Sequence, residues 1–221
     1  MASSYTERAA GMVLRAETTG SLVEVAGGLA IIVLSIIGLA RIGNVGALPA
    51  ISAIILGAAL IAEGGTIATE FSRLMGTSIG TAGAAEFSGG MTTEIMIGAV
   101  VLVLGVLSVL GVSPATLVPS AVIVSGALLL ISAANVHRMN NVKIEALETA
   151  GMGRLLLQSA VSTAAGCQVL AGIAAVVLGI LALSSAASAA LFTVVGLLVL
   201  GAAVTMSGGT LTGSFIKMIA R

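Results

Sequence analysis

The sequence predicts an all-α membrane protein of six transmembrane helices, arranged as three repeated helical hairpins with both termini cytoplasmic. Three observations predict it. Of 221 residues, 58% are hydrophobic and only 8% charged, with mean hydropathy +1.20, whereas a soluble domain carries about 25% charged residues. Such a chain cannot cover its surface with polar groups, so lipid is its natural solvent. Six apolar runs, near 22–42, 47–68, 94–112, 116–136, 166–184 and 187–208, are each close to the ~20 residues a helix needs to cross hydrocarbon. The runs recur in pairs, each joined by a short turn.

The N-terminal segment, 1–21, mixes charges through a short apolar patch and lacks the apolar core and small-residue cleavage site of a signal peptide. Ser4 stands three before Glu7, a capping-box spacing, so a cytoplasmic or interfacial helix is expected here. The first hairpin occupies 22–73 and turns at "RIGNVG"; the second, 94–136, turns at "GVSPAT"; the third lies in 161–221 and turns at "LSSAAS". Uninterrupted helices bond their own backbone groups, as lipid requires. The connection 74–93, rich in Gly, Ala, Ser and Thr, reads as a cytoplasmic loop. The connection 137–160 reads as a loop with a short interfacial helix over Val142 to Thr149.

The repeat is visible residue by residue. A shift of 70 brings Glu24 onto Glu94, Gly28 onto Gly98 and Ser35 onto Gly105. A further shift of 74 brings Glu94 onto Gln168, Gly98 onto Gly172, Gly105 onto Gly179 and Ala127 onto Gly201. A fixed internal period marks one supersecondary unit used several times, and two helices per unit make the copies parallel, related by an axis along the membrane normal. Eight of the nine Lys and Arg residues fall on the side of the termini, with Arg41 alone opposite; that side is therefore cytoplasmic.

The stretches "IGAVVLVLGVLSVLGVSPATLVPSAVIVSGALLLISA" and "LAGIAAVVLGILALSSAASAALFTVVGLLVLGA" resemble the short-repeat family that includes HdeD-type acid-resistance membrane proteins. The resemblance covers about 22–212 and departs from the pattern at Ser35 and in the first turn. It implies a bacterial inner-membrane protein of three two-helix repeats linked to stress or acid tolerance, with no catalytic residues to carry over.

Candidate functional residues are few. Glu24, Glu94 and Gln168 share one repeat position near the start of the odd-numbered spans. Ser21 precedes Glu24 by three and Thr92 and Thr93 precede Glu94, so helix capping is the first explanation; a polar ring at the inner mouth, binding cations or protons, is the second. Glu63 is the sharper candidate. It sits late in its span, where the helix dipole disfavours an acid, at the same depth as Glu24, with Ala133 and Ser207 as counterparts. Intramembrane ionisable residues are functional by default. His137, the single histidine, is a conceivable pH sensor but reads first as a boundary residue. Cys167, the single cysteine, excludes an intrachain disulfide and reads as a small buried residue. Gly28, Gly98, Gly105, Gly172 and Gly179 read as helix-packing positions, since small residues let helices approach closely in lipid.

No nucleophile–base set, phosphate loop or metal motif is present, so no enzyme, metal or cofactor is expected. Net charge is zero, which argues against nucleic acid. The favoured function is a non-catalytic scaffold or interaction protein, with the lipid bilayer and either a second copy or a membrane complex as partners. The alternative is an oligomeric channel or a proton or small-solute transporter using Glu63, Glu24 and Glu94.

Overall fold

A computed structural model describes residues 22–41, 46–75, 81–146 and 154–219, with side chains described over 22–41, 46–65, 93–133 and 166–207. The described chain is all helix, with no strand among the described residues. Six helices follow in order: α1, Leu22–Leu39; α2, Leu48–Met75; α3, Thr81–Val109; α4, Pro114–Ala146; α5, Arg154–Ser184; and α6, Ala189–Ile219. Five of them contain windows long and apolar enough to cross a membrane; the described apolar part of α3, Thr93–Val109, is shorter.

Local chemistry sets the tight turns. α3 ends where Gly111 adopts φ +86, with Val112 N–H donating to the Leu107 carbonyl and Gly111 N–H to the Ser108 carbonyl, each at 3.0 Å. This is a Schellman closure, and glycine takes its left-handed position without a Cβ penalty. Pro114 then opens α4, where its missing N–H costs nothing.

Two connections differ from the sequence expectation. The loop expected over 74–93 is mostly helix, because α2 continues to Met75 and α3 already begins at Thr81. Gly, Ser and Thr lower helix propensity by at most about 1 kcal/mol each, and the stretch contains no proline to break the ladder. The loop with interfacial helix expected over 137–160 is likewise shortened. Residues 142–146 continue α4, and α5 starts at Arg154. The N-terminal segment lies outside the described residues.

The helices divide into two kinds. α2, α4 and α6 contact one another pairwise, and 44% of the apolar window of each is buried, against 28% for α1 and 22% for α5. They form the centre. α3 packs on α2 and α4, and α5 on α4 and α6. α1 packs on α2 through Gly27 and on α6 through Gly28 and Gly38. Each odd-numbered helix therefore fills a groove between two central ones. Each turns apolar side chains such as Val33, Val103 and Ile173 outward, the face that suits lipid.

The odd helices bury one narrow face each. On α1 it comprises Glu24, Gly28, Ile31, Ser35 and Gly38; on α3, Glu94, Gly98, Val101, Gly105 and Ser108. On α5 the same alternating spacing of four and three gives Gly172, Ala175, Gly179 and Ala182, with the half-buried Gln168 at its head. This is the 3.5-residue seam of closely packed helices.

Glycines set the closest approaches. A Cβ on Gly28 would stand 2.8 Å from the Gly201 carbonyl oxygen, one on Gly57 2.7 Å from that of Gly98, and one on Gly126 2.8 Å from that of Gly172. The backbones of α1 and α6, α2 and α3, and α4 and α5 thus touch. Here the structure corrects the sequence register. Gly126, not Ala127, occupies the place that Gly57 and Gly201 hold, because contacts between helices set the pairing and no single shift serves both helices of a hairpin.

Candidate functional site

The acidic residues of the apolar spans lie toward the bundle end away from the tight turns. Glu24 of α1 and Glu94 of α3 head the buried faces described above and are only 2% and 7% exposed. Glu63 of α2 is half-buried; a Cβ on the adjacent Gly64 would lie 3.2 Å from the Glu94 Cβ, and one turn away a Cβ on Gly27 of α1 would lie 3.3 Å from the Ala59 Cβ. The three acids thus sit on adjoining helices toward one end of the bundle.

Serines from the central helices complete the cluster. Ser132 Oγ of α4 donates to Glu94 Oε1 at 2.7 Å. Ser207 Oγ of α6 donates to Glu24 Oε1 and also lies 3.0 Å from the Val204 carbonyl oxygen. A hydroxyl carries one proton, so Ser207 serves one of these acceptors at a time. Glu94 Oε2 is buried without a hydrogen-bond partner. Among the residues with described side chains the only Lys or Arg is Arg41, near the opposite end.

The capping explanation fails for Glu94. It lies thirteen residues inside α3, which starts at Thr81, and its carboxyl bonds to another helix. The Glu24 carboxyl likewise reaches Ser207 on α6. Glu63 does not end its helix either, since α2 runs on to Met75. Sequence reasoning missed Ser132. It assigned Ala133 as the counterpart of Glu63, and the one-residue register difference in α4 puts Ser132 there instead. Gln168 stands half-buried at the head of the α5 face. The side chain of His137 lies outside the described residues, and Cys167 is a half-buried free thiol.

Toward the tight turns the core becomes apolar. Leu60, Leu129 and Val204 are buried, each three residues from Glu63, Ser132 and Ser207 respectively, and Leu56, Leu197 and Leu200 continue the same cluster. Ser35, Ser108 and Ser125, on three different helices, keep buried hydroxyls without a hydrogen-bond partner. Among the described residues no three His, Cys, Asp or Glu side chains are grouped closely enough to hold a metal ion.

Fold and site together define a class, an apolar helical bundle of membrane-spanning type with a buried carboxylate cluster at one end. Compared with protein-family models, curated proteins and solved structures, the chain matches none.

Proposed function

We propose that the chain is a six-span integral protein of a bacterial inner membrane, three parallel hairpins with both termini cytoplasmic, and that it acts as a non-catalytic scaffold in stress or acid tolerance. The observation that carries this reading is the closed core. Leu56, Leu60, Leu129, Leu197, Leu200 and Val204 are buried in one continuous apolar cluster beneath the carboxylates, and glycine contacts lock each outer helix to a central one. Packing of this kind argues against a wide water path from one face to the other, and its outward apolar surface suits lipid and neighbouring membrane helices.

The hairpin repeat is supported by the recurring buried faces of α1, α3 and α5 and by the three glycine pairs. The cytoplasmic placement of the termini rests on the Lys and Arg distribution. Kinship with HdeD-type proteins rests on the spelling of the repeats and supplies the link to acid tolerance.

The test combines flux and survival. Purified chain reconstituted in liposomes should pass protons and small neutral solutes no faster than protein-free vesicles, while cells lacking the gene should survive acid shock less well. Flux well above the empty-vesicle rate would overturn the scaffold reading in favour of transport.

A further inference from the structure

We propose that Glu24, Glu63 and Glu94, with the hydroxyls of Ser132 and Ser207, form a single proton-binding site at one end of the bundle. The inference goes beyond the scaffold reading and rests only on the helical bundle. It stands or falls whatever the protein's partners are.

Three observations converge on it. The first is placement. About one turn from Glu24 and Glu63, a Cβ on Gly27 would lie 3.3 Å from the Ala59 Cβ, and next to Glu63 a Cβ on Gly64 would lie 3.2 Å from the Glu94 Cβ, so carboxylates far apart in sequence come within reach of one another's charge. Groups coupled in this way exchange protons as a set, with midpoints that belong to the set and not to single residues. The second is the state of Glu94. It is 7% exposed, one carboxyl oxygen is held by Ser132 at 2.7 Å, and the other is buried with no partner. A buried carboxyl oxygen left without a donor is costly. A bound proton removes the charge from that oxygen, and a water beside it would supply the missing hydrogen-bond partner.

The third observation concerns the donors. Both hydroxyl partners, Ser132 and Ser207, can either donate or accept. With Glu24 ionised, Ser207 donates to it. With Glu24 protonated, the carboxyl O–H donates to Ser207 Oγ, and the serine proton turns to the Val204 carbonyl, already within 3.0 Å. The Glu24–Ser207 pair is therefore bonded in either charge state, as reversible proton binding requires. Each proton taken up from a hydronium ion forms one carboxyl O–H bond, releases water and lowers the negative charge by one.

The groups facing the cluster are Glu24 from α1, Glu63 from α2, Glu94 from α3, Ser132 from α4 and Ser207 from α6, with the neutral Gln168 at the corresponding position on α5. Among the residues with described side chains, the charge facing the cluster lies on α1, α2 and α3. A metal ion is the competing ligand.

The test is infrared difference spectroscopy on the full chain in phosphatidylcholine nanodiscs, following the C=O stretch of protonated carboxyl groups against pH. The expected result is that Glu63→Gln moves the titration midpoint of the remaining carboxyls by about one pH unit or more, the interaction that marks coupled sites. A loss of amplitude with no change in midpoint would overturn the single site. Glu24→Gln and Glu94→Gln make the same test should Glu63→Gln not fold. Ser207→Ala keeps all three acids and should displace the frequency of one carboxyl band; an unchanged spectrum would remove the serine from the site. Sodium, magnesium or calcium added at constant pH should leave the protonated signal in place. Its selective loss on adding one of them would make the cluster a metal site instead.

Discussion

A single methyl group separates the glycines that hold this bundle from those that do not. A Cβ on Gly57 would meet the Leu102 nitrogen at 2.5 Å and the Gly98 carbonyl oxygen at 2.7 Å, all backbone atoms that cannot swing aside, whereas one on Gly65 would meet nothing within 4 Å. Gly57→Ala should therefore destabilise the protein by about 1–3 kcal/mol, the usual cost of overpacking. Gly65→Ala should be neutral or stabilising by up to about 1 kcal/mol through helix propensity. Unfolding by SDS titration in mixed micelles checks both; equal effects would contradict the contact. Residue chemistry was only partly legible. Glu63 stood out because an acid late in an apolar run has no local justification, and the shared depth of Glu24 and Glu63 agrees with the approach of Gly27 to Ala59 about one turn from each. The role of Glu94 was hidden, because neighbouring threonines imitate a cap when the helix start is placed twelve residues too late. Ser132 was hidden because serine in an apolar helix is common and its partner lies 38 positions away.

Helix ends, more than helix centres, are where sequence reasoning went astray. The apolar spans are written plainly in hydropathy, but helices do not stop where hydropathy does. α3 carries twelve residues before Thr93, and α4 thirteen after Ala133. Composition alone made these stretches look like loops, since small polar residues are turn formers in water. Without proline the helical ladder has no obligatory break. Ser88→Pro tests the extension of α3. In a helix interior it removes a backbone bond and clashes with the preceding turn, for about 3 kcal/mol, and should lower SDS resistance and helical circular dichroism together. In a loop the same change would be nearly silent, and that result would restore the original boundary. The outer turn at Gly111 shows the opposite case. There Gly followed by Pro spells the stop directly, and the left-handed φ and the Schellman bonds follow.

The whole molecule is a closed arrangement in which three central helices are wrapped by three outer ones. The fixed repeat on the odd helices was readable because Glu24, Gly28 and Ser35 recur at constant spacing as Glu94, Gly98 and Gly105. What the sequence could not supply was which hairpin touches which. Glycines on several faces are compatible with packing inside one hairpin, between hairpins or between protomers. The structure uses Gly28, Gly98 and Gly172 to join neighbouring hairpins, so the first helix must close on the last. That closure, α1 against α6, is the central claim, because without it the acids of α1 could not share a site with the serine of α6. It is tested most directly by cysteine cross-linking in native membranes. In a Cys167→Ala background, Gly38→Cys paired with Val194→Cys joins positions where a Cβ on Gly38 lies 3.6 Å from the valine methyl carbons, within reach of a disulfide or a short bifunctional reagent. The account predicts rapid intramolecular cross-linking of this pair and none for Val33→Cys with Leu191→Cys, two outward-facing positions. No cross-link at 38 and 194, or equal cross-linking of both pairs, would contradict the closed bundle.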